Sequence, residues 1–318
     1  MINAPAFTPW QTVDAAAWIA RPRAGDDKYS RGVLGIGTGS VQYPGAAVLG
    51  VQAAARTGLG MIRYRGPEAA AQLVLQRRPE AVVGPGRVQA WLLGSGINAD
   101  DLDPGANAML QQALGDRLPT VCDAGALDLV LPRLIGAVRA DTEASGQSAP
   151  HLTVITPHFR ELAGLLGRAA ARGIDTDGPA PSPEEVARAP EEWAARAAGM
   201  LGVTVLLKGA VTLVASPGGI RLRVSGAPAW LATAGSGDVL GGILGALLAT
   251  HSEQVQSDPR ALPALAATAA WIHADAARRA SQGGPIAALD VADAVPRTIA
   301  ALLAGTGTGA GTGTVAGD

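Results

Sequence analysis

The sequence predicts an α/β fold of three layers, with a largely parallel central sheet flanked by helices and an antiparallel hairpin at the sheet's edge. Two observations carry this expectation. Short β-rich runs alternate with amphipathic or Ala-rich runs along most of the 318 residues, the pattern of strand–helix–strand units. Three glycine-rich turns each follow a strand-like run, and in open α/β sheets ligands bind beyond the carboxyl ends of strands.

The strand-like runs are Val33–Ile36, Met61–Tyr64, Ala90–Leu93, Thr120–Cys122, Thr153–Ile155, Val203–Leu207, Val211–Ala215 and Ile220–Val224. Helical stretches lie between them at Gly45–Thr57, Pro67–Arg77, Gly105–Leu114, Arg160–Leu166 and Glu184–Met200, and three more follow at Gly237–Thr250, Ala261–Ala280 and Val291–Leu303. The last two strands are joined by Ser216-Pro217-Gly218-Gly219, which reads as a hairpin turn. Residues 1–27 form an N-terminal extension with one short helix at Thr12–Ala20, and residues 28–303 form a single domain. The stretches Ala140–Pro150 and Arg172–Pro183 read as loops, rich in Gly, Ser, Asp or Pro. Residues 304–318 are a Gly/Thr-rich tail that cannot bury a core and is expected to be disordered.

Composition excludes several classes. A formal net charge of −2 gives no electrostatic footprint for nucleic acid or an anionic membrane. A single cysteine, Cys122, rules out an intrachain disulfide framework and a multi-thiolate metal site. The four histidines, at 151, 158, 251 and 273, lack metal-ligand spacing. The N-terminus has no basic region followed by an apolar run, and the longest apolar segment, Val239–Ala249, is too short to span a bilayer. A cytoplasmic protein is expected. The basic residues are 23 arginines and only two lysines, Lys28 and Lys208. A lysine in so arginine-rich a chain is either chance or a position that needs a compact point charge rather than a planar fork.

The most informative stretch is Gly235-Ser236-Gly237-Asp238. Val239, Ile243 and Leu247 recur after it at helical spacing, as do Leu240, Leu244 and Leu248. The glycines therefore fall at a helix N-terminus, where backbone N–H groups lack partners and receive anions. Asp238 beside them is either a plain N-cap or a base that activates a hydroxyl attacking a phosphate. A second turn, Gly35-Ile36-Gly37-Thr38-Gly39-Ser40, lacks both the Gly-Lys-Ser/Thr ending of a P-loop and the last glycine of a dinucleotide fingerprint. The third is Gly94-Ser95-Gly96. His158, just after a strand, either donates to a ligand or caps the next helix, which would start at Thr156 or Pro157; Glu161 follows it. Asp123 either orients a phosphate-bound Mg2+ or caps a helix. Lys208 lies between two strands, followed by a glycine that allows close approach of a ligand.

The ordered series YSRGVLGIGTGSVQYPGAAVLGVQAAARTGLG, LLGSG, CDAGAL, ITPHFREL, LLKGAVT and GAPAWLATAGSGDVLGGILGALLA resembles the ADP/ATP-dependent NAD(P)H-hydrate dehydratases of the ribokinase-like superfamily, over roughly residues 28–303. The resemblance implies a ribokinase-like fold and a metabolite-repair lyase. A nucleotide phosphate, from ADP giving AMP or else from ATP, is transferred to the hydroxyl of the S-form of hydrated NADH or NADPH, and elimination of phosphate restores NAD(P)H. It also implies Mg2+ on the phosphates, a homo-oligomer, and an NAD(P)H-hydrate epimerase partner as a separate protein. Carried over residue by residue, it makes Asp238 the catalytic base and Gly235, Ser236 and Gly237 an anion hole. Ala46, Gly96, His158 and Asp238 become substrate contacts; Lys208, Gly209, Ala210, Val211, Thr212 and Gly237 become nucleotide contacts. No Mg2+ ligands are assigned. This chain departs from the family in having Phe159-Arg160 after the histidine in place of Pro-Gly, and Gly94-Ser95-Gly96 in place of Gly-Pro-Gly. Two other readings share the Gly235–Asp238 turn. One is a ribokinase-like kinase of a small alcohol such as a thiamin precursor, which the YPGAA and TPH segments disfavour. The other is a non-catalytic nucleotide sensor, which the carboxylate of Asp238 disfavours.

Overall fold

The computed structural model describes residues 6–143, 151–175 and 178–305. The tail beyond residue 305 and most of the loop expected at 140–150 lie outside them.

Among the described residues ten strands form one sheet: β1 (Thr8–Pro9), β2 (Val33–Gly37), β3 (Met61–Tyr64), β4 (Val82–Val83), β5 (Ala90–Leu93), β6 (Thr120–Cys122), β7 (Thr153–Ile155), β8 (Thr204–Leu207), β9 (Thr212–Ala215) and β10 (Arg221–Val224). Their spatial order is β1-β10-β9-β8-β7-β6-β5-β2-β3-β4. Strands β2 to β8 are mutually parallel, while β9 runs antiparallel to both β8 and β10. The expected hairpin is therefore present, and the short β1 pairs in parallel with its outer strand.

Among the described residues twelve α-helices cover the sheet: α1 (Thr12–Ala17), α2 (Pro44–Thr57), α3 (Glu68–Arg77), α4 (Pro104–Gly115), α5 (Gly125–Glu143), α6 (Phe159–Ala170), α7 (Pro183–Arg188), α8 (Pro190–Leu201), α9 (Ser236–Thr250), α10 (Ser252–Ser257), α11 (Ala261–Ser281) and α12 (Ala288–Gly305). Period-two alternation of apolar strand residues feeds two cores. Leu92, Val121, Val154 and Leu206 point into one, with α2, α3, α9, α11 and α12. Trp91, Leu93, Cys122, Ile155, Val205 and Leu207 point into the other, with residues of α4, α5, α6 and α8. This gives the three layers expected. The N-terminal segment joins the first layer: Trp10 Nε1 donates to Thr268 Oγ1 of α11 at 3.2 Å, and α1 packs on α11 and α12.

Four differences from the sequence reading have physical causes. Helix α5 was not expected, since Pro132 lies inside it and Gly125 at its start; Leu127, Val130, Leu131 and Leu134 are nevertheless buried, and that packing overrides weak propensity. The loop expected from Ala140 thus begins inside α5. The stretch 184–200 is two helices, because Pro190 cannot continue α7 and opens α8 at its first turn. Strands β1 and β4 are two residues each, and α10 is six, too short for a periodic signal.

Candidate active site

The parallel part of the sheet is wound in two directions. From β2 the chain moves outward to β3 and β4, and from β5 it moves the other way to β6, β7 and β8. Strands β2 and β5 are neighbours, so the reversal opens a crevice above their carboxyl ends, the place where such sheets take ligands. Two of the glycine turns stand there. They are tied together, because Gly39 N donates to Ser95 O at 2.7 Å. Helix α2 starts at the same edge with Pro44 at its first turn, bringing Ala46 against the Gly94-Ser95-Gly96 turn. Gly96 has φ of +68, and a Cβ there would lie 2.6 Å from the Cβ of Ala46. Only glycine fits both that backbone and that gap.

Helix α9 enters this edge from the Gly235-Ser236-Gly237 turn. Gly235 caps it in a left-handed conformation, φ of +85, and contributes no side-chain cap. No side chain caps the first turn of α9, although Ser236 N donates to Thr233 O at 3.4 Å; a helix N-terminus without a side-chain cap suits an anion. Asp238 is the third residue of the helix and not its N-cap, which removes the plain capping alternative. Its carboxyl is pushed up to about 6, first by burial and then by the nearby Asp123 charge; Lys208 and a hydrogen bond from Ser95 pull the other way. A carboxylate poised near neutrality can accept a proton from a hydroxyl.

Behind it lies a buried polar network. Lys208, at the end of β8, donates to Asp123 Oδ1 at 2.7 Å and lies 3.6 Å from Glu161 Oε2. Burial works against the Lys208 charge, but the Asp123 and Glu161 carboxylates outweigh it and raise its pKa. Thr156 Oγ1 donates to Asp123 Oδ1 at 2.8 Å, and Ser95 Oγ donates to Asp123 Oδ2 at 3.1 Å. Asp123 therefore does not cap α5; its side chain is turned to the network. A Cβ on Gly237 would stand 3.6 Å from Lys208 Nζ and 4.0 Å from Asp123 Oδ2, so the network backs directly onto the α9 entrance. Among the described residues no group of three His, Cys, Asp or Glu side chains could hold a metal ion.

His158 caps α6, which starts at Phe159 and not at Thr156 or Pro157. The reason is a reciprocal capping box. His158 Nδ1 accepts from Glu161 N at 3.1 Å, and Glu161 Oε2 accepts from His158 N at 2.8 Å. The ring remains exposed, with Nε2 3.6 Å from Glu161 Oε2. His158 also forms a parallel bridge with Lys208, whose N donates to Pro157 O at 2.8 Å. From Lys208 the chain turns through exposed Gly209 and Ala210 and half-buried Val211 into β9 at Thr212.

The structure thus brings Ala46, Gly96, Lys208, Gly235, Ser236, Gly237 and Asp238 to one edge of the sheet, with His158 and residues 209–212 at its side. Sequence reasoning did not include Ser95 or Glu161 among the site residues, although both lie in motifs it singled out. It missed His273 altogether. This residue is buried on α11, interacts with the Ser236 backbone, and is pushed down to about 4 by burial. No local motif marks it; only its place in an otherwise apolar Ala-rich helix could have drawn notice.

Sheet order, layering and a crevice closed by a glycine-led helix define a ribokinase-like α/β protein. The solved ADP/ATP-dependent NAD(P)H-hydrate dehydratase from Bacillus subtilis, co-crystallised with ATP/Mg2+, superposes with a TM-score of 0.73 over 95% of this chain and 100% of that one, at 22% identity, a likeness of fold. The family model described as NAD(P)H-hydrate dehydratase matches residues 34–297, and the chain belongs to that family. It is 41% identical over 249 residues to the bifunctional NAD(P)H-hydrate repair enzyme Nnr of Mycobacterium tuberculosis, covering 76% of this chain and 46% of that protein. The chain therefore spans about half the length of the bifunctional relatives. It is 32% identical to the ADP-dependent (S)-NAD(P)H-hydrate dehydratase of Neisseria meningitidis, covering 85% of this chain and 84% of that protein.

Proposed function

We propose that this protein repairs hydrated nicotinamide cofactor, dehydrating the S-form of hydrated NADH or NADPH at the expense of a nucleoside diphosphate, with ADP giving AMP. The observation that carries this reading is Asp238. An anion merely held at the α9 entrance would be repelled by a carboxylate, whereas a phosphoryl group under attack by a hydroxyl requires a base beside it. Asp238 takes the proton of the ring hydroxyl as that oxygen attacks the terminal phosphorus. The N–H groups at Gly235, Ser236 and Gly237 receive the charge on the transferred group. The ring nitrogen's lone pair then expels phosphate, and loss of a proton from the neighbouring carbon restores the dihydropyridine. Ala46, Gly96 and His158 face the ring, and residues 208–212 face the nucleotide.

Mg2+ fits this site as part of the nucleotide. Asp123, the buried acid nearest Asp238 in the network, is occupied by Lys208, Thr156 and Ser95, and Mg2+ generally keeps its waters and binds substrate phosphates with few protein ligands. When bound, it neutralises phosphate charge. Because only one epimer is consumed, an epimerase activity, in this polypeptide or another, supplies the rest. We place the reaction in the cytoplasm and expect a homo-oligomer, which light scattering would establish. Among the described residues no helix is long and apolar enough to cross a membrane.

The test is direct. Purified protein is mixed with hydrated NADH, Mg2+ and either ADP or ATP, and the reduced-nicotinamide absorbance is followed. Recovery with ADP is expected. No recovery with either nucleotide, while nucleotide still binds, would replace this reading with a kinase of a small alcohol.

A further inference from the structure

A second polar cleft lies apart from the crevice, where α2 and α3 end and α11 passes into α12. Its volume is about 950 Å³, and it is lined by five arginines, Arg56, Arg77, Arg78, Arg279 and Arg297, against two acids, Asp290 and Asp293. That surplus of three positive charges belongs to a chain whose net charge is −2. None of the residues assigned to the crevice lines it. Ala46, at the crevice, and Arg56 both lie on α2, separated by roughly 15 Å of helix.

The floor of the cleft is held by buried bonds. Gln52 of α2 is 1% exposed; its Nε2 donates to Asp293 Oδ1 on α12, and its Oε1 accepts from Arg78 Nε. Arg77 Nη2 donates to both Asp293 oxygens, at 3.2 and 3.1 Å, so this acid is already satisfied. Asp290 Oδ2 accepts from Ala287 N at 2.8 Å at the start of α12. The arginines keep donors to spare. Arg56 Nη2 donates to Asp293 O at 3.1 Å, while its buried Nε has no hydrogen-bond partner. Arg77 bonds only through Nη2, and Arg279 only through Nε, to buried Asp275. Among the described residues Arg297 makes no hydrogen bond or ion pair. A guanidinium carries five N–H donors in a fork that matches phosphate oxygens. Arg56, Arg77 and Arg279 fall in the last turns of helices, where the helix dipole alone favours a cation. Arg297, inside α12, has no such reason to be there.

We propose that this cleft is a second anion site that takes a diphosphate group, free or carried on a nucleoside, with Arg56 and Arg297 as its principal contacts. The cleft is large enough for a ligand of that size. Arg56 and Arg297 lie on two helices packed together, α2 and α12. Gln52 and Asp293 hold Arg78 and Arg77 beside them. The site depends on neither the crevice nor the dehydration reaction.

The test follows binding of inorganic pyrophosphate to the full chain by calorimetry, without added Mg2+ and at about 0.1 M salt. The arginine Nε–H signals of 15N-labelled protein are recorded alongside, the Arg56 signal being identified by its loss in Arg56→Gln. Pyrophosphate should bind with a Kd of about 1 mM or tighter and shift that signal. Arg297→Gln breaks no bond of the fold, so the variant stays folded and should bind roughly fivefold more weakly. Arg56→Gln combined with Arg297→Gln should weaken binding by about tenfold or more. A charge-matched control on the opposite layer, Arg133→Gln with Arg188→Gln, should change it less than about twofold. If ADP shifts the Arg56 signal at a concentration roughly tenfold below that of pyrophosphate, the diphosphate is carried on a nucleoside; if ADP acts equally or more weakly, free diphosphate is the ligand. An Arg56 signal that neither compound moves, or equal weakening in the two double variants, would overturn the proposal, whether or not dehydration is observed.

Discussion

Lys208 Nζ and Asp123 Oδ1 meet at 2.7 Å across strand β7. One residue follows β6, the other follows β8, and Thr156 after β7 donates to the same oxygen. Three adjacent strand ends are thus fastened by one buried ion pair. Its lysine is one of two in the chain, and a single ammonium suits a site with one carboxylate oxygen to serve and another carboxylate, Glu161, at 3.6 Å.

Removing one partner should be costly. Lys208→Met leaves Asp123 buried and uncompensated, and destabilisation of about 3–5 kcal/mol is expected, seen as a fall in Tm of roughly 10 °C. Combining it with Asp123→Asn should recover most of the loss. Thermal melts of the two single variants and the double variant check this. Additive losses in the double variant would mean that the pair is not coupled.

Asp238→Asn should abolish turnover while nucleotide Kd changes less than about threefold, since a neutral amide removes the base and a repulsion together. Nucleotide titration by calorimetry beside the dehydration assay separates the two effects. Because the folded carboxyl titrates near pH 6, kcat/KM should fall as pH drops through 6. The stability effect has the opposite sense. A raised folded pKa means that ionisation opposes folding, a penalty complete above pH 6 and absent below the unfolded value of about 4. The Asn variant should therefore melt a few degrees higher at pH 8 and show no gain at pH 3.5.

Gly96→Ala tests the pocket wall. A methyl group there would press on the Cβ of Ala46 and strain a backbone at φ of +68. KM for the hydrated cofactor should rise at least tenfold, with nucleotide binding, which we propose for residues 208–212, unchanged. A rise in nucleotide Kd without a rise in KM would put the ring elsewhere.

Acid should weaken the fold through His273. Its folded pKa of about 4 lies below the unfolded value of about 6.5, so the unfolded chain binds the extra proton between those values. Stability from this group is present above pH 6.5 and is lost as pH falls toward 4, by up to ~3 kcal/mol. Urea midpoints at pH 7.5 and 4.5 should converge more in His273→Gln than in the unaltered protein.

Much of this was legible in the sequence because the signals are local. Glycines before a periodic apolar run marked the α9 entrance, and the interrupted Val/Leu runs marked β5 to β10 within a residue or two. What escaped was set by tertiary packing. Helix α5 tolerates Pro132 because its leucines are buried. The role of Asp123 depends on Lys208, 85 residues away. His158 looked equally suited to a ligand or a cap, and the reciprocal bonds with Glu161 show that its Nδ1 serves α6, leaving only the other nitrogen to face outward.

Helix α9 is buried from Val239 to Ala249 and packs on α2, α11, β2, β5 and β6. Its entrance therefore cannot loosen by itself. Fraying of the rim would leave the glycine turn and Asp238 in register, whereas displacing them requires dissolving the centre of the molecule. Heat inactivation should then be an all-or-none event that coincides with global melting, and the temperature at which activity disappears would serve as a thermometer for the core.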